Sequence, residues 1–175
     1  MNLILCGLPA SGKTTVGKII ATHLNWIHVD LDQLIIENYS NPTVSTCRQI
    51  CLNEGETYFR FLENQQIAKL MPLKNSIISV GGGSLSHFDN DKCLKKIGCL
   101  VYLKADISIL WNRVKERGGL SFITSSNPQK EFTQIMQHRQ IKLDLIADLT
   151  VEIKDLNCEE IALVTLSKWR EKYGQ

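Results

Sequence analysis

GLPASGKTT, residues 7–15, follows the apolar run Leu3-Ile4-Leu5-Cys6 and precedes Val16, Ile19, Ile20 and Leu24 at helical spacing. A buried strand, a glycine-bearing loop and a helix in immediate succession give the full G-x-x-x-x-G-K-[ST] phosphate loop, here Gly7 to Thr14. Each residue type has a physical task. Glycine lets backbone N–H groups converge on phosphate oxygens. The helix that follows offers roughly half a positive charge at its N-terminus. Lys13 brings a full charge to the β- and γ-phosphates, and the Thr14 hydroxyl is a hard oxygen ligand suited to Mg²⁺. The expected ligand is therefore ATP with Mg²⁺, held by Ala10, Ser11, Gly12, Lys13, Thr14 and Thr15. A glycine turn that binds nothing would leave the lysine at the helix start without a reason.

Outward from this loop, strands and helices alternate. Residues 2–6, 26–29, 76–80, 99–103 and 148–153 read as strands. Residues 14–24, 33–38, 43–53, 56–71, 89–96, 107–117, 129–146 and 158–172 read as helices. Alternation predicts one α/β domain over residues 1–175 with a parallel sheet, and the continuous apolar runs fit strands covered on both faces. Residues 118–128, GGLSFITSSNP, form the one long loop-like segment.

With 175 residues, 43% hydrophobic and 22% charged, the chain has the composition of a soluble globular domain. A net charge of +2 gives no ground for a nucleic-acid or anionic membrane partner. No apolar run approaches the roughly 18 residues of a membrane span, and no signal peptide is visible. A cytoplasmic protein, in the first instance a monomer, is expected. None of the six cysteines forms a C-x-x-C pair, so reduced thiols are expected; Cys47 and Cys51 stand four apart on one helix.

The phosphate loop leaves the phosphate acceptor open. An N-K-x-D base reader is absent, which argues against a GTPase, and the chain is short for an ATPase motor. A small-molecule kinase needs acceptor readers and a lid. Asp30-Leu31-Asp32 stands just past the second strand; if strand geometry persists, both carboxylates face the crevice, where they could hold Mg²⁺ and a substrate hydroxyl. One of the two could instead cap the next helix. Arg60, in Gly55-Glu56-x-x-Phe59-Arg60-x-x-Glu63, is oriented by Glu63 three residues on and suits a carboxylate ligand. Gly81-Gly82-Gly83 after the third strand marks backbone close to a ligand.

In this ordered combination the chain resembles the shikimate kinases. Arg117 and Arg139 complete the pattern, which runs from residue 2 to about 153. The resemblance implies a three-layer P-loop kinase fold, with a five-stranded parallel sheet in order 2-3-1-4-5 flanked by helices. It implies acceptor-binding helices over about 31–62 and a mobile lid over about 113–128. The implied reaction is ATP plus shikimate giving ADP and shikimate 3-phosphate. Lys13, Asp32 and Arg117 would be catalytic, Arg117 also reaching ATP. Asp32, Arg60, Gly81, Gly82, Gly83 and Arg139 would bind the acceptor. Thr14 and Asp30 would serve the metal. A kinase for another hydroxy acid such as gluconate, or a weakly active regulatory nucleotide-binding module, are the alternatives. Two departures stand out. Gly118-Gly119-Leu120 follows Arg117 where the family has Pro-Leu-Leu, and Leu143 takes the place of a tyrosine, where it is expected to pack.

Overall fold

The computed structural model describes residues 1–116, 118, 120 and 123–174. Five parallel strands lie in the order β2-β3-β1-β4-β5: β1 (Asn2–Gly7), β2 (Ile27–Asp30), β3 (Ser76–Gly81), β4 (Gly98–Lys104) and β5 (Leu149–Glu152). The register sets Gly7 beside Gly81, so two glycine-bearing strand ends meet at the carboxyl end of the sheet. The central strands β1, β3 and β4 are buried almost end to end, whereas β2 and β5 at the sheet edges are only partly covered. That difference accounts for the unbroken apolar character of the central runs.

The helices are α1 (Lys13–Leu24), α2 (Leu31–Glu37), α3 (Cys47–Glu54), α4 (Glu56–Leu70), α5 (Asn90–Ile97), α6 (Ile107–Glu116), α7 (Pro128–Ile146) and α8 (Cys158–Tyr173). α1 packs on β3 and α8, and Trp26 meets Trp169 edge-on at 5.7 Å beside that contact. α5 and α7 pack against β4, and Trp111 of α6 meets Phe132 of α7 at 5.2 Å. Asn2 is fully buried at the start of β1. It donates to Leu73 O and Ile97 O and accepts from Ser76 N, tying together the segments that enter β3 and β4. A buried amide with these partners satisfied fixes strand register without leaving a polar group stranded.

Two expectations need correction. The third helix begins at Cys47, not residue 43, because Thr46 forms a capping box with Gln49 and residues 41–45 form a turn in which Val44 is buried. Strand geometry does not persist through Asp30-Leu31-Asp32. Asp30 is the last residue of β2 and the N-cap of α2, its carboxylate accepting from Asp32 N at 3.0 Å and Gln33 N at 3.4 Å. Asp32 already lies in the first helical turn.

Candidate active site

At the carboxyl ends of β1 and β3, the loop from Leu8 to Gly12 turns into α1. Gly12 has φ of 88°, the left-handed region that glycine enters without strain. Lys13 Nζ donates to Gly7 O and Leu8 O, both at 3.1 Å, so the ammonium lies along the loop. Thr14 Oγ1 donates to Asp30 Oδ2 at 2.5 Å. The helix cap and the expected metal-side carboxylate are thus the same side chain. A hydroxyl and a carboxylate in contact beside a phosphate loop suit Mg²⁺, which takes few protein oxygens and leaves its other positions to water and phosphate. Ser79 Oγ donates to Lys13 O and contacts His28 Nε2 at 3.0 Å, bracing the start of α1 from β3.

Two cavities share this frame. One, on the phosphate side, is lined by Ala10, Gly12, Thr14, Thr15 and Asp30. The other, about 230 Å³, is lined by Cys47, Cys51, Phe59, Arg60, Glu63 and Arg139. Pro9, Lys13, Asp32 and Gly81 line both, so the two spaces meet at the lysine and the carboxylate. Asp32 reaches solvent through the crevice, yet protein crowds it. Burial first, then the charge of Asp30, raise its carboxyl to about 6.

The second cavity is assembled from distant segments. Arg60 is 9% exposed. It donates to Glu63 Oε2 at 2.7 Å and through two nitrogens to Glu56 Oε1, at 2.9 and 3.2 Å. Ser84 Oγ donates to the other oxygen of Glu63 at 2.5 Å. Arg60 is therefore fixed in direction. A Cβ on Gly83 would stand 3.1 and 3.2 Å from the Arg60 guanidinium nitrogens and 3.4 Å from Arg139 Nη2. Gly83 thus lies under both guanidinium groups, one from α4 and one from α7. Burial, then the positive charge of Arg60, lower the Arg139 pKa. An anion received between the two would relieve that strain.

Gly82, which also lines this cavity, ties it to the phosphate loop. Its N–H donates to Gly7 O at 3.1 Å, and a Cβ there would sit 3.2 Å from the same oxygen. It joins the end of β3 to the start of the phosphate loop. Leu143 packs against it and is 1% exposed, as expected of the residue in place of a tyrosine.

Arg117 lies outside the described residues, as does part of the expected lid. Two arginines that the sequence pattern did not single out reach this region. Arg113 Nη1 donates to Ala10 O of the phosphate loop at 3.3 Å. Arg48 Nη1 donates to Gly118 O at 2.8 Å, linking α3 to the segment after α6. Leu120 also lines the second cavity, and Glu131 accepts from Thr124 N and Ser125 N, both at 2.9 Å.

Residues 9–170 match the family model described as "Shikimate kinase". The chain belongs to the shikimate kinase family. The shikimate kinase of Chlamydia pneumoniae is 33% identical over 148 residues, 85% of this chain and 84% of that protein. That of Thermoanaerobacter pseudethanolicus is 33% identical over 161 residues, 92% of this chain and 91% of the relative. Among solved structures, shikimate kinase from Acinetobacter baumannii in complex with shikimate superposes with a TM-score of 0.89 at 25% identity, covering 99% of this chain and 95% of that one. The activity of this shikimate kinase is ATP-dependent phosphorylation of shikimate. Its sheet order is the one that the sequence resemblance implied.

Proposed function

We propose that this shikimate kinase holds shikimate in the cavity between α3, α4 and α7 and receives phosphate across the Lys13–Asp32 junction. One observation carries the reading: the cavity that ends in Arg60 and Arg139 opens at Lys13 and Asp32 onto the phosphate loop. Arg60 and Arg139 grip the acid's carboxylate from opposite elements. Asp32 orients the attacking hydroxyl and takes its proton as the new bond forms. A carboxyl raised to about 6 is a better proton acceptor than an ordinary aspartate while still ionised near neutrality. Lys13 turns from its loop carbonyls to the β- and γ-phosphates. The loop amides and the N-terminus of α1 share the phosphate charge.

Mg²⁺ at Thr14 and Asp30 would neutralise charge on the β- and γ-phosphates. Arg117 is the lid arginine of this reading, reaching the transferring phosphoryl group, with residues 113–128 as a mobile lid over the reactants. Arg113 and Arg48 tether the described parts of that region to the phosphate loop and to α3. Phosphoryl transfer needs little covalent chemistry from the protein, so positioning and charge are the main contributions. A monomer is the working unit of this reading. Among the described residues no helix is long and apolar enough to cross a membrane; the cytoplasm is the compartment of this reading.

A coupled assay of ADP release with shikimate, gluconate and no acceptor tests the reading. ADP release that depends on shikimate supports it. Equal release with gluconate, or release indifferent to any acceptor, contradicts it.

A further inference from the structure

Two free thiols line the acceptor cavity, and the phosphoryl transfer described above gives neither of them a task. Cys47 and Cys51 are four residues apart on α3, hence neighbours on one helical face with Cβ atoms about 5–6 Å apart. Both line the cavity of Arg60, Glu63 and Arg139, and both are partly exposed to it. Cys47 Sγ lies 3.5 Å from Asp32 O, on the backbone of the residue that faces the acceptor hydroxyl. The remaining cysteines differ. Cys6 and Cys99 are buried in the central strands, and Cys93 and Cys158 lie on α5 and α8.

We propose that Cys47 and Cys51 form a two-sulfur site for trivalent arsenic, and that its occupation shuts the acceptor out of the cavity while leaving the phosphate loop open. Chemistry selects this class of ligand. Burial, then the nearby carboxylates Asp32 and Glu63, raise the Cys47 thiol; burial raises Cys51 to about 11 despite Arg60. Both thiols therefore stay protonated, which makes them poor nucleophiles toward peroxide or alkyl halides. Arsenous acid needs no thiolate and no redox partner. As(OH)₃ + 2 RSH gives (RS)₂As–OH + 2 H₂O: two As–O and two S–H bonds break, two As–S bonds form, and each departing hydroxyl leaves as water with a thiol proton. Reactants and products are uncharged, so the acidic surroundings that suppress thiolate do not oppose the condensation. One helical face supplies both sulfurs, and both line the same cavity. The inference rests on the proposed acceptor site for its inhibitory consequence, but not for the capture itself.

The probe is phenylarsine oxide, which bridges two thiols with loss of one water. The full-length protein is incubated with it, washed with a monothiol that strips single-sulfur adducts, and weighed intact by mass spectrometry. One retained arsenical is expected, with two fewer thiols titratable by a disulfide reagent. Cys47→Ser and Cys51→Ser should each lose the retained adduct, and Cys93→Ser should keep it. Melting curves of the two serine variants check that they fold, and Cys51→Ala serves as a second variant. Shikimate at ten times its Kd should slow capture about tenfold by occupancy. Retention of the adduct in either single variant overturns the dithiol site. Capture that shikimate does not slow overturns its place in the acceptor's path. No readout here uses turnover, so a failed kinase reading would show separately, as missing ADP release.

Discussion

The phosphate wall and the acceptor wall of this cleft are built by opposite means. Residues 7–15 form the first in one continuous stretch, and its working groups are mainly backbone amides, a helix terminus and one lysine. The second draws Asp32 from α2, Arg60 and Glu63 from α4, Gly83 and Ser84 from the turn after β3, and Arg139 from α7. Its working groups are side chains, and Arg60 among them is aimed by others. A backbone site depends on local conformation and tolerates change around it. A side-chain site depends on a chain of contacts: Ser84 fixes Glu63, which fixes Arg60. Damage to the first should therefore strike the chemical step, and damage to the second should strike recognition of the acid.

The largest expected effect follows from removing the charge of the backbone wall. Lys13→Met should lower kcat by about 10³-fold, the scale of losing one transition-state charge contact, with little change in shikimate affinity by calorimetry. A KM effect alone would erase the contrast. Asp32 stands where the walls meet. Asp32→Asn should lower kcat by about 10²-fold, the scale of general-base loss, and abolish the fall in wild-type rate below pH about 6. The same substitution should raise thermal stability. A carboxyl whose folded pKa is raised contributes stability below the ordinary aspartate range and loses it as pH rises through about 6. Asp32→Asn should thus melt above wild type at neutral pH and above, and the gap should narrow as pH falls below about 6.

Arg60→Ala should raise KM for shikimate by roughly 10–100-fold, corresponding to about 1.5–3 kcal/mol for a charged hydrogen bond. KM for ATP should stay near wild type. An equal rise for ATP would mean that Arg60 serves the phosphate wall. The smallest effect tests the relay. Ser84→Ala removes the hydroxyl donor to Glu63 and should raise KM for shikimate by about fivefold, near 1 kcal/mol, leaving kcat unchanged. A kcat loss without a KM change would break the proposed link to Arg60.

The contrast also explains what the sequence made legible. The phosphate loop was readable because a contiguous pattern fixes a contiguous structure. The central strands were readable because burial on both faces leaves only apolar residues. Arg60 and Glu63 were visible through their spacing of three on a helix. The convergence of Arg139 on Arg60 was not visible, since no local rule sets two guanidinium groups from α4 and α7 over Gly83. The resemblance to a family supplied that pairing. Asp30-Leu31-Asp32 was legible only in part: the helix starts inside it with Asp30 as its cap, the alternative that the sequence left open, and both carboxylates still line the phosphate-side cavity. Arg48 and Arg113 lie in no motif, and their contacts to Gly118 and Ala10 exist only once the chain is folded. The three glycines looked alike in sequence, yet Gly82 pairs with the phosphate loop and Gly83 lies beneath the arginines.

The central claim is that an anionic acceptor is pinned between Arg60 and Arg139 within reach of a phosphate held at Lys13. A crystal structure with shikimate and a non-hydrolysable ATP analogue tests it most directly. The account predicts the shikimate carboxylate against both guanidinium groups, one ring hydroxyl on Asp32, and that hydroxyl facing the terminal phosphorus. A carboxylate bound elsewhere, with Arg60 and Arg139 turned from the ring, would contradict it.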